Sequence, residues 1–459
     1  MEQITKPHCG ARLDRLPDCR WHSSMFAIVA FGLLVCWSNA VGGLILAQLK
    51  ELGWTDNSTT ATFSAITTAG MFLGALVGGI IGDKTGRRNA FILYEAIHIA
   101  SMVVGAFSPN MDFLIACRFV MGVGLGALLV TLFAGFTEYM PGRNRGTWSS
   151  RVSFIGNWSY PLCSLIAMGL TPLISAEWNW RVQLLIPAIL SLIATALAWR
   201  YFPESPRWLE SRGRYQEAEK VMRSIEEGVI RQTGKPLPSV VIADDGKAPQ
   251  AVPYSALLTG VLLKRVILGS CVLIAMNVVQ YTLINWLPTI FMTQGINLKD
   301  SIVLNTMSMF GAPFGIFIAM LVMDKIPRKT MGVGLLILIA VLGYIYSLQT
   351  SMLLITLIGF FLITFVYMYV CYASAVYVPE IWPTEAKLRG SGLANAVGRI
   401  SGIAAPYAVA VLLSSYGVTG VFILLGAVSI VVAIAIATIG IETKGVSVES
   451  LSIDAVANK

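Results

Sequence analysis

Long apolar blocks alternate with short loops rich in Lys, Arg, Gly and Pro along the 459 residues of this chain. A hydrocarbon core about 30 Å thick takes roughly 20 apolar residues in a helix. Blocks of that length fall at 25–47, 63–82, 89–107, 112–136, 149–173 and 183–202, then at 265–288, 303–323, 331–349, 352–377, 391–413 and 417–440. The pattern predicts an all-α membrane protein with twelve transmembrane helices in two six-helix pseudo-symmetric bundles, 25–202 and 265–441. An N-terminal tail (1–24), a polar linker (203–264) and a C-terminal tail (442–459) complete the division. The first block starts at Met25, is too long for a signal peptide and lacks a small-residue cleavage site, so it reads as a retained span.

Composition supports lipid as the solvent: 56% of residues are hydrophobic and 13% charged, about half the charge of a typical soluble domain. The net charge of +8 is concentrated between the apolar blocks, which points to membrane orientation rather than nucleic acid. Loops after even-numbered spans hold eleven basic residues (Lys84, Arg87, Arg88, Arg143, Arg145, Arg151, Lys325, Arg328, Lys329, Lys387 and Arg389), against Lys50, Arg181 and Lys299 after odd-numbered ones. Basic loops stay on the cytoplasmic side, so both termini and the linker are expected there, in a bacterial inner membrane. Within the linker, 212–230 has helical spacing, whereas 233–253 carries four prolines and reads as flexible. The seven cysteines form no CxxC pair and lie mostly inside apolar blocks, so neither a disulfide framework nor a zinc site is expected; no metal or other cofactor is expected.

Two loop patterns recur at matching places in the two halves. After span two stands Asp83-Lys84-Thr85-Gly86-Arg87-Arg88, and after span eight Asp324-Lys325-Ile326-Pro327-Arg328-Lys329. Spans four and ten are followed by Glu138…Pro141…Arg145-Gly146 and Glu380…Pro383…Arg389-Gly390. Carboxylates facing guanidinium groups at such seams predict cytoplasmic latches at Asp83, Arg87, Arg88, Glu138, Arg145, Asp324, Arg328, Glu380 and Arg389; simple anchoring of helix ends is the alternative. Recurrence in both halves is the mark of parallel repeats and favours the latch.

The first of these loops resembles the GxxxD-K/R-x-G-R-R signature of the major facilitator superfamily. Pro203-Glu204-Ser205-Pro206-Arg207-Trp208-Leu209 is similar to the PESPRWL signature of its sugar-porter branch, and Glu442-Thr443-Lys444-Gly445 to its PETKG, with Ile441 in place of the proline. The resemblance spans nearly the whole chain. It implies alternating access, and it implies through Arg118-x-x-x-Gly122-x-Gly124-x-Gly126 that Arg118 faces the cavity, as an electrostatic centre for a substrate anion or for proton coupling. Snorkelling of Arg118 to the interface is the alternative. Where many proton-coupled sugar porters carry an aspartate in span one, this chain has Ser38, within Cys36-Trp37-Ser38-Asn39. Span seven likewise has Ala275 and Met276 where the branch has paired glutamines.

Charged groups inside a span cost about 2.5–3.5 kcal/mol on insertion scales and are functional candidates by default. Glu95 and His98 of span three share a helix face and are candidates for proton coupling with Arg118; interhelical packing is the other reading of Glu95. Arg399 lies where it can pair with Glu380 or Glu385. Polar and aromatic side chains predict a substrate pathway of Asn39, Arg118, Asn157, Trp158, Gln280, Tyr281, Asn285, Trp286, Tyr372 and Asn395.

These features predict a secondary transporter, not an enzyme, moving a small polar metabolite (a sugar derivative, polyol, sugar acid or other organic acid) by proton symport, with the lipid bilayer and protons as further partners and a monomer as the working unit. Efflux of drugs or metabolites, and a transporter-like sensor, are the competing readings. An enzyme would need a nucleophile–base pair or metal ligands at membrane depth, and three histidines, two of them in the tail, do not supply one.

Overall fold

The computed structural model describes residues 7–17, 19–33, 36–141, 145–240, 253–323, 325–383 and 386–444. Helices make up its regular structure, with no strand among the described residues. In lipid, every backbone polar group must be satisfied within the protein, and a helix does so within its own segment. Ten continuous stretches are long and apolar enough to cross a membrane. Twelve spans emerge from them for two local reasons. Lys387–Ile439 is one helical run folded back at Gly417, whose φ of 63° only glycine adopts readily, and it therefore holds spans eleven and twelve. Span five is broken into Arg145–Asn157 and Ser159–Leu170, because the ring of Pro161 opposes the carbonyl of Asn157 one turn earlier.

The remaining spans are Arg20–Glu51, Asn57–Thr85, Arg87–Ala106, Met111–Tyr139, Ala176–Tyr201, Gly260–Thr293, Leu298–Val322, Arg328–Ser347 and Met352–Glu380. Most run past their predicted apolar cores into polar ends. Span one begins at Arg20, ahead of the predicted Met25, and its described helices are Arg20–Leu33, Trp37–Ala40 and Gly42–Glu51. A single π-helical turn, Tyr372–Tyr377, interrupts span ten. Large apolar side chains such as Leu192, Leu353, Val411 and Val431 are exposed along the spans, as lipid-facing positions must be.

Packing groups the chain differently from its sequence order. One unit comprises Met1–Asn39, Gly70–Ser159 and Leu184–Gly246; the other comprises Ala40–Ala69, Tyr160–Gln183 and Lys247–Lys459. Spans one, two, five and six are thus each shared between units.

Within the first unit, spans two and four meet backbone to backbone. A Cβ on Gly70 would stand 2.3 Å from the Phe119 carbonyl oxygen, one on Gly74 2.0 Å from that of Val123, and one on Gly126 2.1 Å from that of Met71. Gly124 performs the same service toward span three, where a Cβ would lie 3.1 Å from both the Tyr94 oxygen and the His98 nitrogen. Lipid offers no hydrophobic gain for helix association, so such small-residue faces supply it through close contact. Span eight repeats the device on span ten in the second unit: Cβ atoms on Gly311 and Gly315 would lie 2.4 and 2.2 Å from the carbonyls of Phe360 and Thr364.

The N-terminal tail is not an independent segment. Its helix Cys9–Asp14 packs Cys9, Leu13 and Leu16 against Trp208, Leu209, Met222, Ile225 and Val229 of the linker helices Pro206–Ser211 and Tyr215–Thr233. Arg12 pairs with Glu226 at 2.6 Å and also with Glu219, and Arg15 reaches Glu226 at 2.6 Å. Burial acts to raise the Glu226 carboxyl, but the two guanidinium groups outweigh it and hold it below the ordinary carboxylate range. Most of the Pro-rich stretch, 241–252, lies outside the described residues.

Two outcomes test this packing. Replacing Gly74 by Leu drives a side chain into the span-four backbone and should lower the stability of the purified protein by about 2–3 kcal/mol, read as earlier thermal unfolding in detergent. A depressed carboxyl stabilises above its unfolded pKa and loses that contribution as pH falls through the folded value. The tail helix should therefore stay docked at neutral pH and loosen once the pH drops below the usual glutamate range, seen as faster hydrogen exchange at amides 9–16 after correction for the intrinsic rate.

Candidate functional site: latches and a buried polar cluster

At the positions expected for a latch, each half carries an ion-pair cluster built from the same parts. In the first, Arg87 opens span three and pairs with Glu138 at the end of span four (Nη2–Oε1 2.7 Å) and with Asp83 at the end of span two (2.7 Å). Ser205 donates its hydroxyl to the second Glu138 oxygen, and Arg207 donates to the Glu138 carbonyl at 2.9 Å. The Glu204 carboxylate accepts the free amides of Arg87 (2.7 Å) and Arg88 (3.3 Å), so it caps span three from a distant part of the chain. Gly86 allows that approach: its φ is 95°, and a Cβ there would fall 2.2 Å from Glu204 Oε2. The Asp83 carbonyl accepts from Trp208 Nε1 at 2.7 Å and from Arg212.

The second latch substitutes part for part. Arg328 opens span nine and pairs with Glu380 (Nε–Oε2 3.0 Å), Thr443 donates to Glu380 at 2.6 Å, and the Glu442 carboxylate accepts the amides of Arg328 (2.7 Å) and Lys329 (3.1 Å). Tyr139 and Tyr377 each donate a hydroxyl across to the chain just before these caps, at Pro203 and Ile441. The caps differ in charge balance. Enclosure pushes the Glu204 carboxyl above its ordinary value against the pull of its amides, whereas the amides of Arg328, Lys329 and Lys444 hold the more open Glu442 below it.

The motif similar to PESPRWL and the one similar to PETKG are therefore the acid caps of the latches. Their sequence likeness marked them as signatures; the signal for capping was the acid followed by a hydroxyl in both, Glu204-Ser205 and Glu442-Thr443. Of the other expected latch residues, Arg88 donates to the Trp199 carbonyl and Arg389 lies over the Tyr254 ring at 5.2 Å. Asp324 and the Arg145 side chain lie outside the described residues. The expected pairing of Arg399 with Glu380 is not seen: Glu380 is engaged by Arg328 and Thr443, and Arg399 Nη1 has no hydrogen-bond partner among the described residues. Its alternative partner, Glu385, lies outside those residues.

Deep in the first unit, four candidate groups come together. Glu95 and His98 are fully buried, 3.7 Å apart from Oε2 to Nδ1. The other ring nitrogen of His98 lies 2.8 Å from Ser38 Oγ, and Ser191 of span six lies 3.4 Å from Nδ1. Arg118 is 2% exposed and donates to the Ser38 carbonyl oxygen at 2.7 Å. Ser38 thus joins spans one, three and four.

The expected pathway residues divide among several settings. Asn39 is buried beside Ser38, and Asn157 and Trp158 stand half-buried at the break in span five. In the second unit, Gln280 and Tyr281 are half-buried on span seven, with Tyr281 against Gly402 of span eleven. Asn285 and Trp286 are buried where span one closes on span seven; a Cβ on Gly43 would lie 2.4 Å from the Ile284 oxygen and 2.9 Å from that of Asn285. Asn305 donates to Ser164 at 2.9 Å, and Tyr160 meets Tyr367 ring to ring at 5.4 Å, so spans five, eight and ten join this seam. The Trp286 indole N–H has no hydrogen-bond partner among the described residues. Tyr372 instead stacks on Tyr377 (5.0 Å) and packs against Gly332 of span nine, a helix-packing position. Asn395 is exposed and bonds one turn back to the Ser391 carbonyl.

Residues 26–406 match the sequence profile of the Major Facilitator Superfamily. The chain belongs to that superfamily. It is 99% identical over all 459 residues to the “Putative metabolite transport protein YdjK” of Escherichia coli (strain K12), with both chains covered completely. The inner membrane metabolite transport protein YdjE of the same organism is 44% identical, over 98% of this chain and 99% of the relative. Among solved structures, the fold is similar to the xylose transporter XylE from E. coli in a partially occluded inward open conformation, with a TM-score of 0.73, 18% identity, and coverage of 93% of this chain and 100% of that one. XylE has also been solved as a proton:xylose symporter bound to 6-bromo-6-deoxy-D-glucose (TM-score 0.65, 20% identity, coverage 94% and 98%). Membership makes this chain a multi-pass membrane transporter and not an enzyme.

The latch geometry has a direct test. Arg87 and Glu138 are both mostly buried, so charge-neutral single and double substitutions at the two should give a coupling of about 1–2 kcal/mol in unfolding measurements. An additive double mutant would mean that the pair contributes nothing beyond its separate packing.

Proposed function

We propose that this protein carries a small polar metabolite across the inner membrane by alternating access in symport with protons, working as a monomer with both termini in the cytoplasm. The observation that carries this reading is the break in span five, which leaves Asn157 and Trp158 half-buried within a span, with Asn39 on span one as a further polar group. Broken spans at mid-membrane free backbone and side-chain polar groups for a substrate, a recurring arrangement in secondary transporters. Gln280, Tyr281 and Asn285 on span seven offer further hydrogen-bonding groups, and the unpaired Trp286 N–H adds a donor. Arg118 favours a substrate with an anionic group, such as a sugar acid or another organic acid.

The seam at Gly43 and Asn285 acts in this scheme as the outer gate, and the latches hold each half's helix ends rigid while the halves rock. The excess of Lys and Arg in the latch loops supports a cytoplasmic position for them. Relatives named as metabolite transporters and a similarly folded proton symporter support the substrate class and the coupling.

Uptake of a panel of sugar acids, polyols and short organic acids into liposomes holding the purified protein, with and without an imposed pH gradient, tests the reading. Accumulation of one class driven by the gradient is expected, with Arg118→Ala reducing uptake of that substrate at least tenfold while the protein stays folded. Equilibration without accumulation would replace symport by uniport, and movement only outward would replace it by efflux.

A further inference from the structure

Ser38, which does not titrate in the working range, stands on span one where the resemblance implies an aspartate in many proton-coupled sugar porters. The geometry points to a relocated proton site: the Glu95–His98 pair of span three, reached through the Ser38 hydroxyl. This rests on the proton-coupled reading above and specifies where the proton sits.

Three observations carry it. Both oxygens of the fully buried Glu95 carboxyl have no hydrogen-bond partner among the described residues. An ionised carboxylate in that state is strongly disfavoured, and a proton or a protonated imidazole is the remedy nearest to hand. His98 Nδ1, 3.7 Å away, supplies it, while Nε2 on the opposite side of the ring lies 2.8 Å from Ser38 Oγ. The imidazole therefore stands between the carboxyl and the span-one position, bridging the two through its opposite nitrogens.

The groups facing the pair are few. Span one contributes Ser38 and the Cys36 thiol, which lies within electrostatic range of Glu95. Span six contributes Ser191, and span four contributes Arg118, which binds the Ser38 carbonyl, together with the Gly124 backbone surface. Tyr94 on span three itself turns to the Gly78 carbonyl of span two.

Loading requires only proton transfers. In a conformation that opens the buried Ser38 to solvent, its hydroxyl gives a proton to Nε2 and takes one from hydronium; Nδ1 gives its own to Glu95 Oε2, and the ring returns to neutral in the other tautomer. One proton is gained and no other bond changes. With the Arg118 guanidinium beside them, the groups are balanced when Glu95 is ionised and carry one net positive charge when it is loaded. The loaded state therefore attracts an anionic substrate, which ties the proton to the cargo.

The test needs no knowledge of the substrate, because the probe is the proton. Infrared difference spectra between acidic and alkaline buffer, taken on the full chain in lipid bilayers, should show the C=O stretch of a protonated buried carboxyl. Glu95→Gln should abolish that band, Glu95→Asp should move it, and His98→Asn should shift its pH midpoint by at least about one unit. A band that persists unchanged in Glu95→Gln and Glu95→Asp overturns the site. A midpoint unmoved in His98→Asn overturns the relay through the ring. Should the band behave as expected while no metabolite is driven by a pH gradient, the proton site stands and the symport reading falls.

Discussion

Helices in a bilayer have no water to escape from when they meet, so what holds this bundle together is the distance to which backbones can approach. Gly70, Gly74 and Gly126 bring spans two and four so close that a methyl group would overlap a carbonyl oxygen. Gly311 and Gly315 do the same for spans eight and ten. Gly124 sets span three against span four at His98, and the buried cluster of Glu95, His98, Ser38 and Arg118 can assemble only at that separation. A bundle spaced by leucines would hold the same side chains too far apart to touch.

The latches solve a second problem, the exposed amides at the start of a span. Spans three and nine have no side-chain cap of their own; a carboxylate from a remote segment supplies it. Because Glu204 and Glu442 bind the amides while Glu138 and Glu380 bind the guanidinium side chains of the same residues, each latch ties three chain segments at one point. In the first half the tie extends further. Arg207 joins the Glu138 carbonyl to Asp14 of the tail helix, so the N-terminal tail, the linker and the span ends form one connected structure.

The centre of the membrane region follows different physics. The break in span five leaves Asn157 and Trp158 half-buried, whereas the Glu95–His98 pair is fully buried. Half-buried polar groups suit a cargo that comes and goes; a buried ionisable pair suits a proton held through a conformational step. Gly43 lets span one close on the backbone of Ile284 and Asn285 in span seven, the contact that the proposed transport cycle assigns to its outer gate.

The sequence by itself determined the number of spans, the repeated loops, the family and the rarity of charges inside the membrane, because apolar length and motif order are local properties that survive without coordinates. It also singled out Glu95, His98 and Arg118, since few ionisable groups lie in the spans. Tertiary structure alone decided their partners. Ser38 read as a missing aspartate, yet its hydroxyl and carbonyl are what connect His98 to Arg118. Tyr372 read as a pathway residue, and the structure places it in the π turn of span ten, stacked on Tyr377. The sequence pattern bounds the tail only as residues 1–24, and the structure shows its helix burying Leu13 against a linker helix more than 200 positions away. Contacts of that kind depend on which helix faces which, and a pattern along one chain does not encode them locally.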